Sequence, residues 1–217
     1  MSKYKVLLIT RPDHDKATRY LSAWSDKIIQ MAGVKDIPVF DLKRKKANKE
    51  DLTSFLKKKD PALVILNGHG NIDEVTGHNN KLLVKAGENE HILKGRIIYA
   101  LSCSSALILG KKSISAGALS YIGYEKDFML CNDSHKIARP LQDKVAKLFL
   151  EPSNQICKSL LKGNTCGKAS ENSKKIFAKN IRMLLSSDAP LGSSEYAKFL
   201  WWDMKAQVCL GDMEATF

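Results

Sequence analysis

The sequence predicts an α/β fold with three layers, a mostly parallel central sheet and a helical C-terminal part. Two observations carry this. Nearly continuous apolar runs at residues 62–66 (ALVIL) and 96–101 (RIIYAL) have the length and composition of strands covered on both faces. Around them lie segments whose apolar residues recur at helical spacing, so strands and helices alternate as they do in layered α/β sheets.

Residues 5–10 are the first expected strand. The lysine-flanked apolar stretch that contains them is read as this strand and not as a signal sequence, because it runs into charged residues without a small-residue cleavage site. After the loop 11–15, Leu21, Trp24, Ile28 and Ile29 fall on one side of a helix. Residues 37–40 suggest a second strand. Asn48 can cap a helix whose apolar face is Leu52, Phe55 and Leu56, with Glu50 and Asp51 favourable in the first turn. Pro61 precedes the strand at 62–66. The segment 68–95 is rich in Gly, Asn and charge, and its apolar patch at 82–84 suggests a hairpin over the sheet edge. A strand at 96–101, a helix from 104 to 110 and a short strand at 118–122 follow. Beyond Ser134 the pattern is helical, over 137–150, 152–161, 166–185 and 196–206. One domain over 1–217 is expected, with the sheet in 1–130 and helices packed on it in 131–217.

Composition narrows the setting. The apolar fraction is 44% and the charged fraction 27%, and no segment approaches the ~18 uninterrupted apolar residues of a membrane span, so no membrane partner is expected. The five cysteines are an odd number with no C-x-x-C pair, which fits neither a disulfide framework nor a common zinc spacing and points to a reducing cytoplasm. A net charge of +12 would steer acidic protein, nucleic acid or anionic lipid toward the chain. Lysine clusters such as 43–46 and 57–59 are more simply a solvated face.

Chemistry concentrates at two strand ends. LVILNGHG places His69 after one apolar run, and IIYALSCSS places Cys103 after another. In open parallel sheets functional groups collect beyond the carboxyl ends of the strands. If the two strands are neighbours, a cysteine nucleophile and a histidine that exchanges its proton share one crevice. A helix opening at Ser104 would favour the thiolate. Gly70 lets backbone approach a bound carbonyl, so the N–H groups of Gly70 and Cys103 are candidates for an oxyanion hole. His78 and His91 could be drawn with His69 and Cys103 as a metal cluster, but the spacings match no common zinc pattern, and neither metal nor cofactor is expected. His14 and His135 carry no motif.

With these residues the chain resembles the caspase-like cysteine peptidases, a group that includes gingipain, clostripain and separase. The likeness is nearest to prokaryotic CHAT domains. It rests on NGHG at 67–70 and ALSCSSA at 100–106, with RPDHDKATRYLSAW, GHNNKLLVKAG and GALSYIGY alongside, and it covers roughly residues 4–130. The resemblance implies a caspase-like fold, His69 as general acid/base, Cys103 as nucleophile, and oxyanion amides from Gly70 and Cys103. It also implies peptide-bond hydrolysis through an acyl-enzyme without a cofactor. The caspase signature Q-A-C-x-G is replaced by L-S-C-S-S, so aspartate specificity does not follow. The loop after the first strand often lines the substrate pocket in this fold, which nominates Arg11 and Asp13. Their opposite charges predict opposite preferences, and Asp127 is a third candidate. Relatives often belong to prokaryotic antiviral defence systems, so a regulatory protein partner or self-association is implied. The alternative is a catalytically idle module with this fold that recruits an acidic protein or nucleic acid. Trp201 and Trp202 in the last helix offer a docking surface, though core packing is the commoner fate of such side chains.

Overall fold

In the computed structural model, which describes residues 5–217, a six-stranded sheet runs in the order β2-β1-β3-β6-β7-β8. Its strands are β1 (Leu7–Arg11), β2 (Val39–Lys43), β3 (Leu63–Asn67), β6 (Ile97–Leu101), β7 (Ser120–Tyr124) and β8 (Gln207–Gly211). All neighbours pair parallel except β7 and β8. A separate antiparallel hairpin joins β4 (Glu74–Thr76) to β5 (Leu82–Lys85). Residues 1–4, which the sequence reading runs into the first strand and, at residue 4, into the family likeness, lie outside the described residues.

Successive residues of the central strands point to opposite faces, and both faces are covered. Leu7, Ile9, Leu63, Ile65, Ile97 and Tyr99 meet α1 (Lys16–Val34), α4 (Lys144–Leu161) and the start of α5 (Cys166–Leu184). Leu8, Val64, Leu66, Ile98 and Ala100 meet α2 (Lys49–Lys59) and the hairpin. Each such aliphatic side chain contributes ~1.5–3 kcal/mol on full burial, which is what holds β1, β3 and β6 side by side. The hairpin therefore lies on a face of the sheet, not over its edge as the sequence reading has it. Its Val75, Leu83 and Val84 are apolar on the side that meets α2.

The helix starts follow from their caps. Asp15 accepts from the Thr18 N–H in a capping box at the start of α1, and Asn48 accepts from the Asp51 N–H at the start of α2. Three expectations need correction. The helices anticipated at 137–150 and 152–161 are one helix, α4, capped by Asp143 and running through Pro152. Proline cannot donate to the Leu148 carbonyl four residues back, a loss that usually breaks a helix. Here Asn180 of α5 donates its side-chain amide to that carbonyl at 2.9 Å. The C-terminal part is also not wholly helical: α6 (Glu195–Ala206) passes directly into β8, which closes the sheet against β7. The helix expected from 104 begins instead as a π-helical turn over Ala106–Gly110 that leads into the short α3 (Lys111–Ser115).

Among the described residues no helix is long and apolar enough to cross a membrane. All five cysteines are free. The lysine clusters at 43–46 and 57–59 are exposed.

Candidate active site

The strands β3 and β6 are adjacent and parallel, with Asn67 paired to Leu101. His69 and Cys103 each follow those partners by two residues, so they leave neighbouring strands at the same level. The intervening backbone is close-packed. A Cβ placed on Gly70 would lie 2.9 Å from the Cys103 carbonyl oxygen and 3.0 Å from the Ser102 Cβ. One on Gly68 would stand 1.8 Å from the Thr76 carbonyl oxygen. The glycines of NGHG thus have a packing cause, because the hairpin crosses over the segment, with the Thr76 N–H donating to the His69 carbonyl at 2.9 Å. Neither the Gly70 nor the Cys103 N–H is engaged in a hydrogen bond among the described residues.

Backbone pairing between β1 and β3 covers Leu7 to Ile9 and Leu63 to Ile65. Beyond it a side-chain clasp continues the junction. Thr10 Oγ1 donates to the Asn67 carbonyl, the Asn67 N–H returns to Thr10 Oγ1 at 2.9 Å, and Asn67 Nδ2 donates to the Thr10 carbonyl at 2.8 Å. This clasp brings the loop after β1 against His69. Asp15 Oδ1 caps α1 through the Thr18 N–H and hydroxyl, while its Oδ2 lies 2.5 Å from His69 Nε2. Burial opposes ionisation of Asp15, but the Thr18 N–H, His69 and the Thr18 hydroxyl outweigh it and hold the carboxyl at about 2. With Nε2 committed to this carboxylate, Nδ1 is the imidazole nitrogen left to exchange a proton.

Cys103 sits on a constrained turn. Ser104 has φ of 53°, a left-handed conformation that non-glycine residues seldom adopt. Its N–H donates to the Lys126 carbonyl and its hydroxyl to Asp127 Oδ1 at 2.7 Å, tying the turn to the segment after β7. Beneath it, Ser102 and Tyr121 both donate to the buried Ser105 hydroxyl. Burial pushes the Cys103 thiol up. The Phe128 N–H works against that, and the Asp127 and Asp203 carboxyls add to it. The helix expected to open at Ser104 starts two residues later, as the π-helical turn from Ala106, and its dipole does not offset the burial of the thiol. At rest Cys103 is a thiol.

The three specificity candidates separate cleanly. Arg11 is 3% exposed and fixed between Asp26 and Asp41, with its Nε donating to the Ser22 carbonyl. It is a structural cation, out of reach of a substrate side chain, and that expectation is corrected. Asp13 does not pair with Arg11. It lies between Arg44 at 3.1 Å and Arg19 at 3.6 Å, so its charge is already matched. Asp127 is exposed and adjoins the Cys103 turn through Ser104.

His91 and His135 are exposed and remote in role, whereas His78 accepts the Asp13 N–H at 3.2 Å. Burial, then nearby His14, lower its tendency to protonate. Core packing of the tryptophans is also corrected: Trp201 is 53% and Trp202 42% exposed, and the Trp202 indole donates to the Asp127 carbonyl.

Sequence reasoning passed over His14, Asp15 and Asp203. The first two were visible as RPDHD, a polar loop at the end of a strand that could neighbour β3. Asp203 in α6 is fully buried, accepts the Met129 N–H, and leaves Oδ2 without a partner. A shallow cavity of about 420 Å³ borders His69, Gly70, Asn71, Glu74, Thr76 and Asn80. Another of about 810 Å³, lined by Val145, Leu148, Met183, Leu191 and Tyr196 among others, lies away from the histidine and cysteine. No protein-family model matches the chain, and no curated protein matches it.

Proposed function

We propose that the chain is a cysteine endopeptidase with a caspase-like fold of the CHAT type. The observation that carries the reading is the placement of His69 and Cys103 at matching positions beyond adjacent parallel strands, beside two unengaged amides. In this mechanism Cys103 Sγ attacks the scissile carbonyl carbon while its proton passes to His69. The Gly70 and Cys103 N–H groups receive the oxyanion. His69 then protonates the leaving amine, and water hydrolyses the thioester. Asp15 is a positioning residue: it fixes the ring and stabilises the imidazolium that forms during attack. Because the resting thiol is held up by burial, proton transfer accompanies attack and no preformed ion pair is required.

The exposed Asp127 beside the nucleophile suits a Lys or Arg side chain ahead of the scissile bond. A cytoplasmic setting, a regulatory protein partner and a role in prokaryotic defence belong to the same reading, and the free cysteines and family likeness support it. The test is covalent labelling by a peptide acyloxymethyl ketone with lysine at its reactive end. Cys103 should be modified in the wild type and spared in His69→Ala, while Cys103→Ala takes up no label. Labelling of Cys103 no faster than that of Cys131 or Cys209, in the presence of candidate activators, would overturn the peptidase reading. Salt-sensitive nucleic-acid binding that survives Cys103→Ala would then favour the idle binding module.

A further inference from the structure

The loop after β1 delivers two potential metal ligands to the histidine beyond β3. One ligand atom from each of His14, Asp15 and His69 lies within 4.8 Å of the other two. Asp15 Oδ2 is the shared centre, 2.5 Å from His69 Nε2 and 3.5 Å from His14 Nε2. In a tetrahedral zinc site with bonds of ~2.0–2.1 Å, ligand atoms stand roughly 3.3 Å apart, so small side-chain rotations convert this cluster into a coordination shell.

The cluster is also built to stay in place. Asp15 Oδ1 is occupied by Thr18, and Oδ2, which faces His69 Nε2, is the oxygen placed to meet an ion. The His14 N–H donates to Thr18 Oγ1, and its ring sits edge-on between those of His69 and His78, with centroids 5.9 Å and 5.3 Å away. Two imidazoles gathered around one carboxylate in a chain of net charge +12 is not a diffuse acidic patch. His69 and Asp15 are each about two-fifths exposed and His69 borders the shallow cavity, so an ion has a way in. Two imidazole nitrogens and one carboxylate oxygen favour a borderline transition metal over calcium or magnesium, which prefer all-oxygen shells.

We propose that His14, Asp15 and His69 form a binding site for a divalent transition-metal ion of the zinc type, and that its occupancy switches off proton transfer by His69. The binding half stands on the cluster alone; the inhibitory half rests on the peptidase reading. When the ion takes Nε2, the proton that Nε2 shared with Asp15 moves to Nδ1, and the ring can no longer accept the Cys103 proton. No bond to sulfur is involved. The site then links peptidase activity to available zinc.

The test uses the full chain under reducing conditions. Titration with Co²⁺ should produce the visible bands of a tetrahedral site at one ion per chain, and Zn²⁺ should bleach them. His14→Ala and the milder His14→Asn should weaken binding about tenfold or more, the scale of losing one ligand contact, with unchanged circular dichroism. Cys103→Ala should leave the Co²⁺ spectrum intact. A spectrum lost in Cys103→Ala but kept in His14→Ala would place the ion on the thiol and overturn the site, as would no binding up to millimolar Co²⁺. Probe labelling of Cys103 should fall with stoichiometric Zn²⁺ in the wild type and need about tenfold more in His14→Ala. Labelling unaffected by bound Zn²⁺ would overturn the inhibitory half alone. If metal-free protein is never labelled while Co²⁺ binding still depends on His14, the peptidase reading and inhibition fail together and the metal site stands.

Discussion

Replacing Asp203 by asparagine should make the chain progressively more stable relative to the wild type as the pH rises. Asp203 is 0% exposed, has one hydrogen bond, from the Met129 N–H, and leaves its second oxygen unpartnered. Burial pushes its carboxyl from the ordinary 3.8 up to about 8, with the Met129 N–H pulling weakly the other way. Between those limits the folded chain keeps a proton that the unfolded chain has released. The contribution to stability is therefore fully present below about pH 4 and is lost as the pH rises toward 8. The slope is about 1.4 kcal/mol per pH unit, or about 4 kcal/mol between pH 5 and pH 8. Asparagine keeps the acceptor for Met129 and does not titrate. The stability of Asp203→Asn minus that of the wild type should rise by that amount across the interval, whatever constant offset the new amide adds. Urea unfolding at pH 5, 6, 7 and 8, followed by tryptophan fluorescence, measures it. Two stability curves that stay parallel over these four conditions would refute the argument.

Other perturbations separate structure from chemistry. Arg11→Ala removes a buried guanidinium and its charged hydrogen bonds to two carboxylates that stay solvent-accessible, so it should cost about 1–3 kcal/mol in denaturant unfolding without changing cleavage preference in a peptide library; a shifted preference would return Arg11 to the pocket. Gly68→Ala forces a Cβ into the Thr76 carbonyl and should destabilise by about 3 kcal/mol or more, read as a fall in thermal midpoint. Asp15→Asn preserves an N-cap acceptor for Thr18 but removes the charge against His69. It should leave the thermal midpoint nearly unchanged while kcat falls about a hundredfold; equal losses of stability and activity would argue for a capping role only. Asp127→Asn removes a carboxylate that holds the Cys103 thiol up, so iodoacetamide should alkylate Cys103 about twofold faster at pH 7, while turnover of substrates with a basic side chain falls.

The sheet was legible where its residues are apolar on both faces. The runs at 62–66 and 96–101 contain the fully covered strands Leu63–Asn67 and Ile97–Leu101, each offset by one residue at its start, and the Asn48 cap was legible because Glu50 and Asp51 follow it in the first turn. Local pattern failed where a distant partner decides. Pro152 reads as a helix break until Asn180, on another helix, takes up the freed carbonyl. Strand β8 is invisible because α6 runs into it without a turn, and only the open edge of β7 makes it a strand. At the site, His69 and Cys103 announce themselves by motif. Asp15 does not, because its place depends on strand order: β1 must neighbour β3, and the Thr10–Asn67 clasp must hold their ends together. The charges of Arg11 and Asp13 were equally visible, yet their burial and pairing were not, since those depend on α1, β2 and the turn at Arg44.

The electrostatics around the pair are unequal. His69 leans on a carboxylate held ionised by a helix cap, so in the proposed peptidase the base is positioned before any substrate arrives. The thiol faces burial first and the Asp127 carboxylate after it, and both keep it protonated. Such a site conserves its nucleophile from oxidation and adventitious electrophiles, since the thiolate is the reactive form. Whatever neutralises Asp127 relieves one of the terms that restrain Cys103. A basic substrate side chain placed there would therefore select the substrate and lower the thiol's proton affinity in the same contact. A partner docking against the exposed Trp202, whose indole holds the Asp127 backbone, could act on the same carboxylate from outside. In the proposed peptidase, specificity and activation then converge on the segment after β7, while the loop after β1 governs the histidine.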